Sequence, residues 1–281
     1  MKWILKITLF AICFLAVDRV CKSQTGSFTV YRITSNLSYQ PQWDTAPPEN
    51  LAEIKKILQQ PYSYFGKGVQ SFAFVSQDGQ YVIKFFRHDH MHAPFLLSKI
   101  PMKWARAKVA KKEAKFEREF RSYKLAYEIL KKETGLVFLH LNKTSGLNQT
   151  LDLVDKLGIH HPIPLDNYEF LVQKRASLLY TSLNQMIENN RLEDAKETLS
   201  KLVRLLARRA ELGISDKDPD LETNFGLIGT DPIQIDVGRF GPRTRPFNKN
   251  EIIRITDHLH AHLNKNCPEL GAHLKTQIEN L

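Results

Sequence analysis

Phe65-Gly66-Lys67-Gly68-Val69-Gln70-Ser71-Phe72-Ala73-Phe74-Val75, followed by Asp78-Gly79 and then Tyr81-Val82-Ile83-Lys84-Phe85-Phe86, is the stretch that decides how this chain is read. It predicts strand, glycine loop, strand, tight turn, strand. Phe72 and Phe74, then Val82, Lys84 and Phe86, recur at period two, the pattern of a half-buried antiparallel sheet. Gly66 and Gly68 let the backbone come close to a phosphate. A lysine on the inward face of an apolar strand needs an anionic partner, because an unpaired buried ammonium is costly.

Carboxylates suited to a metal and to proton chemistry follow downstream. Asp236-Val237-Gly238 comes directly after the apolar Pro232-Ile233-Gln234-Ile235, so the Asp236 carboxylate sits at a strand end. Asn224 opens a second apolar segment, Phe225 to Ile228, and a turn at Gly229-Thr230-Asp231 brings the chain back. The predicted hairpin sets Asn224 beside Asp236, where two oxygen ligands could share a hard cation. Asp216 and Asp218 precede Asn224 by eight and six residues. Asp216 fits best after the apolar approach Gly213-Ile214, and Asp218 is the reserve. An acidic turn between a helix and a strand would look much the same.

Residues 101–132 predict a long helix, with Phe116, Phe120, Tyr123, Tyr127 and Leu130 on one face. Of Glu113, Glu117 and Glu119, the last flanks that stripe best. The alternative is that all three are solvated charges with helical partners, such as Glu117 with Arg121. Tyr168 to Lys174 reads as a further strand.

In this order, glycine loop, strand lysine, acidic helix, strand, Asp…Asn and Asp-x-Gly, the chain resembles the protein-kinase-like superfamily over roughly residues 60 to 240. The resemblance implies an α+β, two-lobed, kinase-like fold with a reduced C-terminal lobe. It implies ATP and magnesium as cofactors. Gly66 and Gly68 would cover the phosphates, and Lys84, held by Glu119, would bind them. Gln173 would open the adenine hinge, which runs to Ala176. Asn224 and Asp236 would hold magnesium, and Asp216 would orient the acceptor hydroxyl. The pattern departs from the family in places. Ser71 stands at the third glycine, Val237 replaces the usual Phe, and no His-Arg precedes the aspartate. Only 43 residues follow Gly238, too few for an activation segment and peptide-docking helices. The leading expectation is an ATP-dependent phosphotransferase with a small-molecule or protein hydroxyl as acceptor. The alternatives are a membrane-tethered pseudokinase or interaction module, and, more weakly, an exported protein using the fold as a scaffold.

The predicted organisation is an anchor or signal peptide over residues 1–24, a linker and short helix over 25–60, a nucleotide-binding lobe over 61–174 and a helical lobe over 175–281. Leu199, Leu202, Leu206 and Ala210 mark a core face in the second lobe, and a final helix is expected over residues 249–264. Two more stretches, Thr134 to Asn142 and Leu151 to Ile163, read as strands. At the N-terminus a basic start, with Lys2 and Lys6, precedes an uncharged run of eleven residues, Ile7 to Val17. That run fits a signal-peptide core better than a span of about 20 residues, yet no small-x-small cleavage site follows. Membrane association with the remainder in the cytoplasm is therefore expected, and export is the alternative.

Net charge is +10, of which residues 1–24 contribute +3. This favours acidic partners, namely nucleotide or an anionic membrane surface, without choosing between them. For nucleic acid only the charge speaks, as no zinc-finger, repeat or RNA-binding pattern is present. Cys13, Cys21 and Cys267 form neither a disulfide framework nor a zinc motif. The histidine triplets His88, His90, His92 and His258, His260, His262 read as surface histidines, with an i,i+4 metal pair as the sharper alternative. The basic helix around Trp104 could lie on an anionic membrane or simply face water.

Overall fold

The computed structural model describes residues 2–91, 97, 99–244 and 246–281. It is an α+β protein that divides into two compact units, residues 1–112 with 140–171 and residues 113–139 with 172–281.

In the first unit, alternating side chains produce β1 (Tyr62–Lys67), β2 (Ser71–Ser76) and β3 (Tyr81–Phe86). β1 and β2 form an antiparallel hairpin, closed by the Gly68 amide donating to the Ser71 carbonyl at 2.8 Å. Between β2 and β3, Asp78 Oδ1 accepts from the Gln80 amide and Gly79 takes a φ of +69°, the tight turn that Asp-Gly predicts. β5 (Thr150–Val154) runs parallel to β1 and returns antiparallel as β6 (His160–Pro164). The order in this unit is β3-β2-β1-β5-β6, a mixed sheet. Leu151 to Ile163, expected as one strand region, is thus two. Asp155 Oδ1 accepts the Leu157 and Ile159 amides and Gly158 sits at φ +80°, so the chain must turn there.

One sheet face is aromatic. Phe72, Phe74, Ile83 and Phe85 are fully buried, and the Phe74 ring meets Phe85 and Tyr64 edge-on. The cover comes from residues 25–48, which sequence reading makes a linker. Phe28 stands edge-on to Phe72 and Phe74 at 5.4 and 5.0 Å, and Ile33 and Trp43 are also buried. Polar side chains fix the segment's course. Tyr64 Oη donates to the Gly26 carbonyl, Lys67 Nζ to Ser27 Oγ, and the Gln40 amide to Asn142 Oδ1. Ser35 Oγ donates to Glu169 Oε1 at 2.7 Å, deep in the unit, and His88 Nε2 lies 3.0 Å from the other carboxylate oxygen. The proline-dotted polar composition hid three apolar anchors spaced too irregularly to show a period. α3 (Leu51–Ile57) follows, capped by Asn50 as its sequence predicts.

The N-terminal segment is a continuous helix, α1 (Lys2–Gln24), whose apolar side chains are exposed. No helix among the described residues is long and apolar enough to cross a membrane. In α1 the eleven-residue run Ile7 to Val17 would extend only about 16 Å, against about 30 Å of bilayer hydrocarbon. The segment is thus a helix with an apolar surface, and no membrane-spanning segment stands among the described residues.

The second unit takes the later half of α5 (Lys103–Ile129), with α6 (Lys131–Thr134) behind it. It also takes most of β4 (Leu136–His140) and the end of β7 (Phe170–Lys174), which are neighbours in the sheet. The Lys174 amide donates to the carbonyl of Gly135 at 2.8 Å. α7 (Leu179–Glu188), α8 (Leu192–Glu211), α9 (Lys249–Asn266) and α10 (Pro268–Glu279) enclose a core that includes Leu199, Leu202, Leu206, Leu259, Leu263 and Leu274. The expected face of α8 is the buried one. α10 was not foreseen; Pro268 restarts the chain as a separate helix at its first position.

Short strands complete this unit: β8 (Ser177–Leu178), β10 (Phe225–Ile228) and β11 (Asp231–Gln234) in one sheet, β9 (Ile214–Asp216) with β12 (Phe240–Pro242) in another. Gly226 permits the β8–β10 approach, since a Cβ there would stand 2.8 Å from both the Ser177 carbonyl oxygen and Ala176 Cβ. Gly226→Ala is expected to cost about 1–3 kcal/mol, the usual range for overpacking. Chemical denaturation checks this, and an unchanged midpoint would contradict it.

Candidate functional site

In the first unit the structure brings the glycine hairpin and Lys84 into one sheet. Gly66 stands opposite Ala73 beside a bulge in β1. Neither Gly66 nor Gly68 has a positive φ, and a Cβ on Gly66 would meet nothing within 4 Å. The fold therefore does not demand glycine at residue 66, and its absent side chain leaves backbone uncovered, as close approach of a phosphate requires. Sequence reading missed Arg87, which pins this loop. Its amide donates to the Gln70 carbonyl at 2.8 Å, its Nη1 to the Gly68 carbonyl at 3.0 Å, and its guanidinium lies 5.0 Å from the Phe72 ring centre. Lys84 is half-buried and opposite Ala73 in β2; strand alternation puts it on the face of Val82 and Phe86, away from the aromatic cluster.

In the second unit the β10–β11 hairpin pairs Phe225 with Gln234, so Asn224 and Asp236 leave it at the same end. The Asn224 carbonyl accepts from the Ile235 amide at 2.8 Å and from the Asp236 amide at 3.4 Å. Asn224 is buried; its Nδ2 donates to the Asp218 carbonyl at 2.8 Å, which fixes the amide, and its Oδ1 accepts from Thr223 Oγ1 at 3.2 Å. Asp236 is exposed. Its Oδ1 accepts from the Gly238 amide at 3.1 Å, and its Oδ2 makes no hydrogen bond to a described residue. An Asp carboxylate and an Asn amide oxygen are the donor types that a hard divalent cation takes.

The two candidate bases differ sharply. Asp216 is spent on the structure. Its side chain is nearly fully buried, with Oδ2 2.6 Å from Gln234 Nε2 and 3.3 Å from Arg209 Nη1. Its Oδ1 accepts from the amide of Asp218 at 2.9 Å. Gln234 in turn accepts from Arg209 at 2.6 Å and donates to the Asp236 carbonyl at 3.2 Å. Asp216 thereby holds the backbone of both Asp218 and, through Gln234, Asp236. The Asp218 carboxylate is half-exposed, 3.5 Å from Arg239 Nε. Asn224 and Asp218 are thus linked directly, and the six-residue spacing is the one that faces the hairpin end.

α5 contributes to the same place. Ser122 Oγ donates to the Val237 carbonyl and accepts from the Phe240 amide, so the helix clamps the turn after Asp236. A lone buried serine inside a charged helix gives no sequence signal of this role. Of the three glutamates, Glu113 and Glu117 are exposed and Glu119 is 3 % exposed. Burial pushes the Glu119 carboxyl up, opposed by Lys115 and then by Arg118 and Arg239. Tyr123, one turn on, is pushed far up by burial and by the charges of Asp236 and Glu119. Glu119 and Asp236 therefore act on a common neighbour. Gln173 is buried, and its Nε2 donates to the Thr134 carbonyl at 2.6 Å, so its side chain serves the fold.

No group of three His, Cys, Asp or Glu side chains among the described residues could hold an ion. His88 is buried against Glu169 rather than on the surface, His262 meets Asn184 Oδ1 at 2.8 Å, and His92 lies outside the described residues.

No family model and no curated protein matches the chain. Among solved structures it is similar to the bifunctional kinase-methyltransferase WbdD, in two crystal structures, at 15% identity and TM-scores of 0.37 and 0.38. Those matches cover 75% of this chain and 43% of WbdD, so the chain spans less than half of that protein. It is also similar to Rv3197 of Mycobacterium tuberculosis, solved with erythromycin, at 14% identity and a TM-score of 0.31, covering 98% of this chain and 75% of that one. Likenesses this slight decide neither the fold nor the activity.

Proposed function

We propose that this chain is a kinase-like phosphotransferase that uses ATP with magnesium. The observation that carries the reading is the end of the β10–β11 hairpin, where Asp236 and the oriented Asn224 present two oxygen donors beside the half-exposed Asp218. Magnesium held by Asp236 and Asn224 supplies neutralisation of phosphate charge. Lys84 and the Gly66–Gly68 loop are assigned the phosphates, while Glu119 lies 3.5 Å from Lys115. Asp218 is assigned to accept the acceptor hydroxyl's proton, in place of Asp216, whose oxygens are already engaged. Gln173 keeps its place at the start of the adenine hinge through its backbone. The acceptor is a small molecule or a protein hydroxyl.

A nucleotide-binding module without transfer is the second reading. It is favoured by Arg239, whose Nε lies 3.5 Å from the Asp218 carboxylate and occupies the group assigned as proton acceptor. Calorimetric titration of the full chain with ATP, with and without magnesium, tests the site. Magnesium-dependent binding that disappears in Asp236→Asn and weakens in Lys84→Ala is the expected result. Absence of binding under both conditions would overturn the proposal. Binding without release of ADP in the presence of acceptor would leave the second reading standing.

A further inference from the structure

We infer that the first half of α5 docks this protein on an anionic lipid bilayer. Between Asp89 and Glu113 the chain carries no acidic residue, while Lys99, Lys103, Arg106, Lys108, Lys111 and Lys112 fall within it. The helix sorts these charges. Ala105 is fully buried, Val109 and Lys112 are half-buried, and Lys103, Arg106, Lys108 and Lys111 are all exposed. None of those four makes an ion pair or hydrogen bond with a described residue, whereas Lys196 pairs with Glu193 and Glu269, and Lys201 with Glu197 and Asp231. Four exposed like charges within nine residues, with no acidic partner among the described residues, repel each other until an anionic surface compensates them.

Exposed apolar side chains beside these charges choose the kind of surface. Trp104 and Met102 are 53% and 54% exposed, and the indole N–H points at Met102 Sδ, 3.2 Å away. A solvated basic face gains nothing from an exposed indole, but an interfacial helix places its aromatic ring at the headgroup level and its cations against lipid phosphate. α1 belongs to the same unit and exposes Trp3, Phe10 and Phe14. Such area is removed from water by a bilayer and left in water by a nucleic acid.

Sedimentation of the full chain with vesicles provides the test. Wild type is expected to bind phosphatidylcholine vesicles containing phosphatidylserine, with affinity that falls as salt rises. Each basic side chain at an anionic surface is worth about fivefold in partitioning. The combined variant Lys103→Gln, Arg106→Gln, Lys108→Gln, Lys111→Gln should therefore lose about a hundredfold or more on those vesicles. Its binding to pure phosphatidylcholine, where only apolar contact acts, should not change. Its melting temperature should match wild type, as the altered side chains are exposed. Quenching of Trp104 fluorescence by brominated lipid in Trp3→Phe gives an independent readout, Trp43 being buried. The inference is overturned if the variant binds the anionic vesicles like wild type, if Trp104 is not quenched, or if a nucleic-acid duplex is bound in preference to the vesicles.

Discussion

Asp218→Asn is expected to slow phosphoryl transfer by about 10²–10⁴, the usual contribution of a positioned proton acceptor, while magnesium–ATP binding measured by calorimetry stays unchanged. Asp216→Asn should behave differently. Its oxygens hold the Asp218 amide and Gln234, so this change should lower the melting temperature and turnover together. The two carboxylates are only two residues apart on a turn, and the contrast comes from surroundings. One is enclosed by Arg209 and Gln234, the other faces water and Arg239. Steady-state ADP release by the two variants, alongside their melting curves, separates the roles. Full turnover in Asp218→Asn would remove it from the proposed chemistry.

Arg209→Met should destabilise the chain by about 3–5 kcal/mol, among the largest costs of any single change here, because it leaves the buried Asp216 carboxylate without its cation. Burial works against the charge of Arg209, and Asp216 is the first group that restores it. Methionine keeps an unbranched apolar stem but also loses the guanidinium that lies 5.7 Å from the Phe240 ring centre. The double change Arg209→Met with Asp216→Leu should recover part of the loss, since two apolar groups of similar volume need no compensation. Urea unfolding of the two single variants and the double variant reads this as a coupling energy. A cost below about 1 kcal/mol for Arg209→Met would place the pair among weak surface bridges.

The hairpins were legible because their signals are local. Period-two alternation with Asp-Gly gives β2–β3, and two apolar runs around Gly229 give β10–β11. The pairing of Asn224 with the end next to Asp236 follows from register alone. Burial was the part that local patterns could not supply. Glu113, Glu117 and Glu119 lie within two helical turns of one another, yet only tertiary packing buries Glu119. Asp216 and Asp218 are two residues apart, and only side chains brought in by the fold, Arg209 and Gln234 on one and Arg239 on the other, distinguish them. Phe28, Ile33 and Trp43 have no common period, so a segment that covers the aromatic face passed for a linker.

That cover has a consequence for biosynthesis. Gln40 finds Asn142 across 102 residues and Ser35 finds Glu169 across 134, although residues 25–48 leave the ribosome first. At about 5–20 residues per second, the earlier half of each contact waits on the order of ten seconds for its partner. During that interval Phe72, Phe74 and Phe85 have formed hairpins but the residues that complete the cover are not yet anchored. Nascent chains halted before residue 169 should therefore be the species that chaperones hold and proteases cut.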